Sequence, residues 1–87
     1  MYNEIIKLFH TPYDELRIWD KDLCKMALYF IHNLKGDHSL PGKDFYKIIG
    51  ICDWAREHQY LTDKQKYYLY ITLIDNINQI DYIEEYL

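Results

Sequence analysis

Apolar residues recur along this chain at the spacing of helices, not of strands. Tyr2, Ile5, Ile6 and Phe9 fall at i, i+3, i+4 and i+7, one face of a helix that Asn3 is placed to cap. Thr11-Pro12 marks a new start, because threonine suits the N-cap and proline the first helical position, where its missing N–H is no loss. Asp14 and Glu15 put negative charge into the following turn, so residues 12–18 are predicted as a short helix or a single turn. Asp20 is the predicted cap of the next helix. Its stripe of Leu23, Met26, Ala27, Phe30, Ile31 and Leu34 is the cleanest in the chain, and Gly36 is its expected stop.

Residues 36–42 read as the one true loop. A third helix is predicted from Lys43 to about Gln59, with Phe45, Ile48, Ile49, Cys52 and Ala55 on one face. Tyr46, Ile51 and Trp54 flank that face and widen it, as expected of a helix with more than one neighbour. Gly50 inside it costs about 1 kcal/mol relative to alanine and either marks a close helix crossing or is incidental. Thr62 and Gln65 have the spacing of a capping box, which starts a fourth helix striped by Leu69, Leu73, Ile77 and Ile80. Tyr67, Ile71 and Ile74 lie beside that stripe. The pattern either runs on through Ile83 to Leu87 or breaks near Asp81. Nothing alternates with period two and nothing repeats, so the expected fold is all-α: a single domain over residues 1–87, a compact bundle of about four main helices.

Composition sharpens this picture. In 87 residues, 49% are hydrophobic and 17% aromatic, with ten tyrosines, which is the content of a folded core and not of a disordered chain. No apolar window approaches the roughly 20 residues a membrane helix needs, and no signal peptide is recognisable. Cys24 and Cys52 are the only cysteines, too few for a disulfide scaffold. The expectation is therefore free thiols in a cytoplasmic protein, with one disulfide between two helices as the alternative.

The net charge is −4, and its distribution matters more than its total. No Lys or Arg occurs from Tyr67 to Leu87, whereas Asp75, Asp81, Glu84 and Glu85 are all acidic. Residues 43–66 are slightly basic without forming a cationic cluster, so direct nucleic-acid binding is not expected. Lys64, Gln65 and Lys66 open a helix after a short turn, which keeps a helix-turn-helix DNA binder among the alternatives.

No catalytic constellation, metal site or cofactor site emerges. Cys52 and His58 differ by about 240° around one helix and do not face each other. His10, His32, His38 and His58 form no i, i+4 ligand pair and read as surface or capping residues. The neighbouring carboxylates Asp14/Glu15 and Glu84/Glu85 diverge by about 100° on a helix and make no acid–base couple. Tyrosine supplies large contact area at low entropic cost, so the candidate partner-binding residues are the exposed members of Tyr67, Tyr68, Tyr70, Tyr82 and Tyr86. Asp75, Asp81, Glu84 and Glu85 complete the set. Tyr68 is expected to point furthest from the apolar stripe. Biased codon usage accounts equally well for the abundance of tyrosine.

The run Ile51-Cys-Asp-Trp-Ala-Arg-Glu-His-Gln-Tyr-Leu-Thr-Asp-Lys-Gln65 resembles a helical hairpin pattern of small phage and mobile-element proteins. It departs from that pattern at Gln59, where a glycine is common. The resemblance carries no active residues. It implies an origin, and with it a role as a stoichiometric inhibitor of host machinery, such as an anti-CRISPR or other anti-defence protein. The expected partner is a host protein, such as a nucleic-acid-processing enzyme with a basic cleft. An immunity or antitoxin protein and a self-assembling structural protein, with homo-oligomers, are the further alternatives.

Overall fold

The computed structural model describes Met1–Leu87 and is all-α, as the periodicity predicts. Four helices, α1 (Tyr2–Phe9), α2 (Asp20–His32), α3 (Gly42–His58) and α4 (Asp63–Asp75), are joined and followed by 3₁₀ turns at Tyr13–Glu15, Ile77–Gln79 and Ile83–Glu85. Helix α2 is the hub: α3 packs on one side of it, α4 on another, and α1 covers α4. Its stripe explains why. Leu23, Ala27 and Phe30 are fully buried, and Met26 and Ile31 nearly so. They join Ile48, Leu69, Leu73, Ile77, Ile80 and Ile83 in one core of 21 buried residues.

The helix starts differ from the sequence expectation in instructive ways. Met1, not Asn3, is the N-cap of α1. Thr11 does not cap a helix; its hydroxyl donates to the Lys7 carbonyl (2.7 Å), and the turn after Pro12 is a single 3₁₀ turn. Trp19 is the N-cap of α2. Asp20 enters the helix instead, and its carboxylate accepts the Leu61 backbone N–H at 2.9 Å, tying the start of α2 to the α3–α4 turn. Among the predicted caps, the capping box is realised as read: Gln65 N–H donates to Thr62 Oγ1 and Thr62 N–H to Gln65 Oε1, an arrangement that stabilises by about 1 kcal/mol.

Helix ends were harder to read. Gly36 does not stop α2 and has no left-handed backbone. The stop is Asn33, whose side-chain amide donates to Tyr29 O while its backbone takes φ −124°, ψ 25°. Asn76 ends α4 in the same way, with its amide on Thr72 O and φ −122°, ψ 21°. Both asparagines bond the carbonyl four residues back and turn the chain out of the helix, so the break precedes Asp81 by a full turn. Gln59 ends α3 in the left-handed region (φ 70°), which costs a non-glycine residue about 1–2 kcal/mol. Its own side chain bonds Arg56 O at 2.7 Å. Gly50 faces open space, so no close helix crossing depends on it.

Past Asn76 the chain folds back across the end of α2. Leu34 and Ile80 form an isolated antiparallel bridge, flanked by Lys35 N–H to Gln79 O (2.8 Å) and Asp81 N–H to Asn33 O (2.7 Å). Ile80 and Ile83 plug into the core with no exposed surface. Residues 77–87 therefore form a hook clamped to the body. No helix is long and apolar enough to cross a membrane.

Candidate partner-binding surface

The candidate tyrosines and carboxylates divide between two places, because α1 runs antiparallel to α4 and its two ends meet different parts of the chain. At the C-terminal end of α1, Tyr70 is buried and its hydroxyl donates to the Thr11 carbonyl. Tyr13 lies edge-on to both Tyr67 (5.1 Å between ring centres) and Tyr70 (5.2 Å). Tyr67 keeps about half its surface exposed, whereas Tyr70 is part of the core and leaves the accessible set. Tyr68 does not point away into solvent as expected. It is half-buried, donates to Asp44 Oδ1 of α3 at 2.9 Å, and carries Lys47 Nζ 4.1 Å above its ring. The three tyrosines at the start of α4 thus hold neighbouring elements together.

The hook gathers the rest, except Asp75, which is exposed at the C-terminal end of α4. Tyr2, on the first turn of α1, donates its hydroxyl to the Asp81 carbonyl (2.7 Å) and stacks on Tyr86 with ring centres 4.7 Å apart. Tyr29 meets the Tyr2 ring edge-on. Lys35 Nζ lies 3.4 Å from Glu84. Glu84 is held below the usual carboxylate range, first by a backbone hydrogen bond at its own position and then by Lys35. Tyr82, Glu84, Glu85, Tyr86 and Leu87 are all exposed, around a backbone fixed by buried Ile80 and Ile83. The result is an ordered acidic surface with tyrosines at its edge. Tyr2, Tyr29 and Lys35 complete it, and sequence reasoning missed them because they lie half a chain or more from the hook.

Burial pushes several phenols up: Tyr2 and Tyr68 to about 12, with Tyr13 and Tyr70 also raised. A folded-state value above the unfolded one means that the unfolded chain releases the proton first. The stability these tyrosines contribute is therefore whole below about pH 10 and is lost as the pH climbs through their folded values towards 12. We expect these four to ionise late, together with the loss of helical circular dichroism in an alkaline titration followed by phenolate absorbance. Ionisation of all ten tyrosines in one step near about pH 10, with the dichroism unchanged, would contradict this.

Between the first half of α2 and the second half of α3 lies an open groove of ≈ 820 Å³. Its floor includes Cys24, Cys52, Leu28 and Ala55, and its rim carries Trp19, Tyr60, Lys21, Lys25 and Arg56. Trp19 is 76% exposed, the most open of the large apolar side chains. It is the N-cap of α2, four residues before Leu23, so helical spacing alone would place it on the buried stripe and gives no signal of its exposure.

No family model, curated protein or solved structure matches this chain.

Proposed function

We propose that this chain is a non-enzymatic protein-binding module, encoded by a phage or mobile element. It acts in the cytoplasm of the host cell as a stoichiometric inhibitor of a host protein, of the anti-defence or anti-CRISPR kind. The observation that supports this reading is the clamped hook. Asp81, Tyr82, Glu84, Glu85 and Tyr86 are presented on a backbone already ordered by the Leu34–Ile80 bridge, the Tyr2 hydroxyl and two buried isoleucines. Binding a flexible tail costs ordering entropy, and this surface has met that cost during folding. Its carboxylates suit a basic cleft such as a nuclease's nucleic-acid channel, where charge complementarity raises on-rate and specificity. Tyr82 and Tyr86 add contact area beside them.

The test is capture from host lysate by the immobilised protein, run beside a Glu84→Lys/Glu85→Lys variant. Both glutamates are exposed and the reversal gives up only the surface pair of Glu84 with Lys35, so the fold persists, which an unchanged circular dichroism spectrum and hydrogen-exchange protection of the hook would check. We expect one protein captured in a one-to-one ratio by the parent, eluted by raised salt, and not retained by the variant. Equal retention by both forms would refute the role assigned to the hook.

A further inference from the structure

The two cysteines lie on facing helices at the floor of the α2–α3 groove. Both are almost buried, with 8% and 6% of their surface exposed, yet both line an opening to solvent. Cys52 Sγ approaches the Cys24 carbonyl at 3.7 Å, so the packing of α2 on α3 already sets the Cys52 thiol against the backbone of Cys24. Above them, the charges are not balanced. Arg56 is paired with Asp53, and the Asp20 carboxylate is taken by the Leu61 N–H. Lys21 and Lys25 have no carboxylate partner within salt-bridge distance, so with Asp20 and Asp53 counted against Lys21, Lys25 and Arg56 the groove lining keeps a net positive charge.

We propose that Cys24 and Cys52 form a thiol–disulfide exchange site for small anionic disulfides, in which Cys24 attacks, Cys52 resolves, and a disulfide joining α2 to α3 remains. The two thiols are unequal in the sense this order requires. The Cys52 S–H is engaged by the Cys24 carbonyl, and the neighbouring Cys24 thiol and burial push Cys52 up, whereas Cys24 is held below the ordinary thiol value beside it. Cys24 therefore yields its proton to solvent first. Its thiolate attacks one sulfur of the incoming disulfide; a new S–S bond forms, the old one breaks, and one small thiolate leaves and is protonated. With Cys24 now a neutral disulfide sulfur, the negative charge that opposed ionisation of Cys52 is gone. Cys52 releases its proton, attacks the Cys24 sulfur and expels the second small thiolate. Two electrons pass from the protein thiols to the small disulfide, which departs as two thiols. The net positive lining is suited to an anionic disulfide such as glutathione disulfide.

The experiment incubates the native chain with glutathione disulfide, quenches with acid, and reads intact mass and peptide map. The expected product has lost two hydrogens, carries a Cys24–Cys52 cross-link and holds no lasting adduct. Cys52→Ser should stop at a glutathione adduct on Cys24, whereas Cys24→Ser should react about tenfold more slowly or less. Lys21→Gln/Lys25→Gln should slow the reaction several-fold with glutathione disulfide but not with neutral hydroxyethyl disulfide. The parent chain alone suffices to overturn the proposal. Native protein that stays reduced, while its thiols react freely in guanidinium, would end it. So would separate adducts on both cysteines without a cross-link. Equal rates for the lysine variant and the parent with glutathione disulfide would remove the anionic preference.

Discussion

Replacing Phe30 with alanine is expected to lower stability by about 3–5 kcal/mol, the largest loss from any single truncation in this fold. Phe30 is among the largest fully buried side chains and sits on the hub helix, which packs against both α3 and α4. Truncation removes a whole ring from water-free contact and leaves a hole that neither neighbouring helix can fill without moving off the other. An 87-residue domain has a total stability of roughly 4–13 kcal/mol, so the variant is near the edge of folding at room temperature. Thermal melts by circular dichroism should move down by at least about 12 °C. A shift of only a few degrees would mean that α2 is not the hub.

The second large effect is expected at Ile83. Its side chain is fully buried, and it follows a tyrosine, Tyr82, held in the left-handed region at φ 64°. That strained turn persists because Ile80 and Ile83 are anchored on either side of it. Ile83→Ala should cost about 2–4 kcal/mol, but unevenly through the molecule. The hook should open first, and the amides of Ile83, Glu85 and Tyr86, which bond only within the hook, should lose their hydrogen-exchange protection. Amides of α2 and α3 should stay protected until global unfolding. Exchange that rises uniformly across the chain would show that the hook and the body unfold as one unit. The same variant should weaken capture of a partner under the proposed function, since the acidic surface would lose its fixed backbone.

Helix faces were legible because burial leaves a period in the sequence. All of Leu23, Met26, Ala27, Phe30 and Ile31 are buried on α2 and Leu69 and Leu73 on α4, while Ile77 and Ile80, expected on the same helix stripe, are buried from the hook beyond the end of α4. Helix ends were less legible, because the expectation looked for glycine and the chain uses Asn33 and Asn76. An asparagine side chain can satisfy a carbonyl of the last turn itself, so no left-handed residue is needed there. The candidate surface was half legible. The acidic content of the hook is local and shows in composition. Its partners Tyr2, Tyr29 and Lys35 are distant in sequence, and angular spacing on α4 gives no hint that Tyr70 reaches Thr11 or that Tyr68 reaches Asp44. Cys24 and Cys52 are equally far in sequence from His38, in the middle of the loop that reverses the chain, so antiparallel helices bring them side by side.

The bond from Tyr2 to the Asp81 carbonyl spans 79 residues, and it sets the order in which the protein can assemble as it is made. Helix α1 leaves the ribosome first, but its supports, α4 and the hook, leave last. At about 5–20 residues per second the wait is about 4–16 s. Eight residues are too few to hold a helix unaided. For that interval Ile5 and Leu8 have no core to enter, and the nascent chain carries an open apolar segment ahead of α2. Helices α2 and α3, adjacent and joined by a short loop, can pair early, so the body waits for its own first turn to be covered by its last.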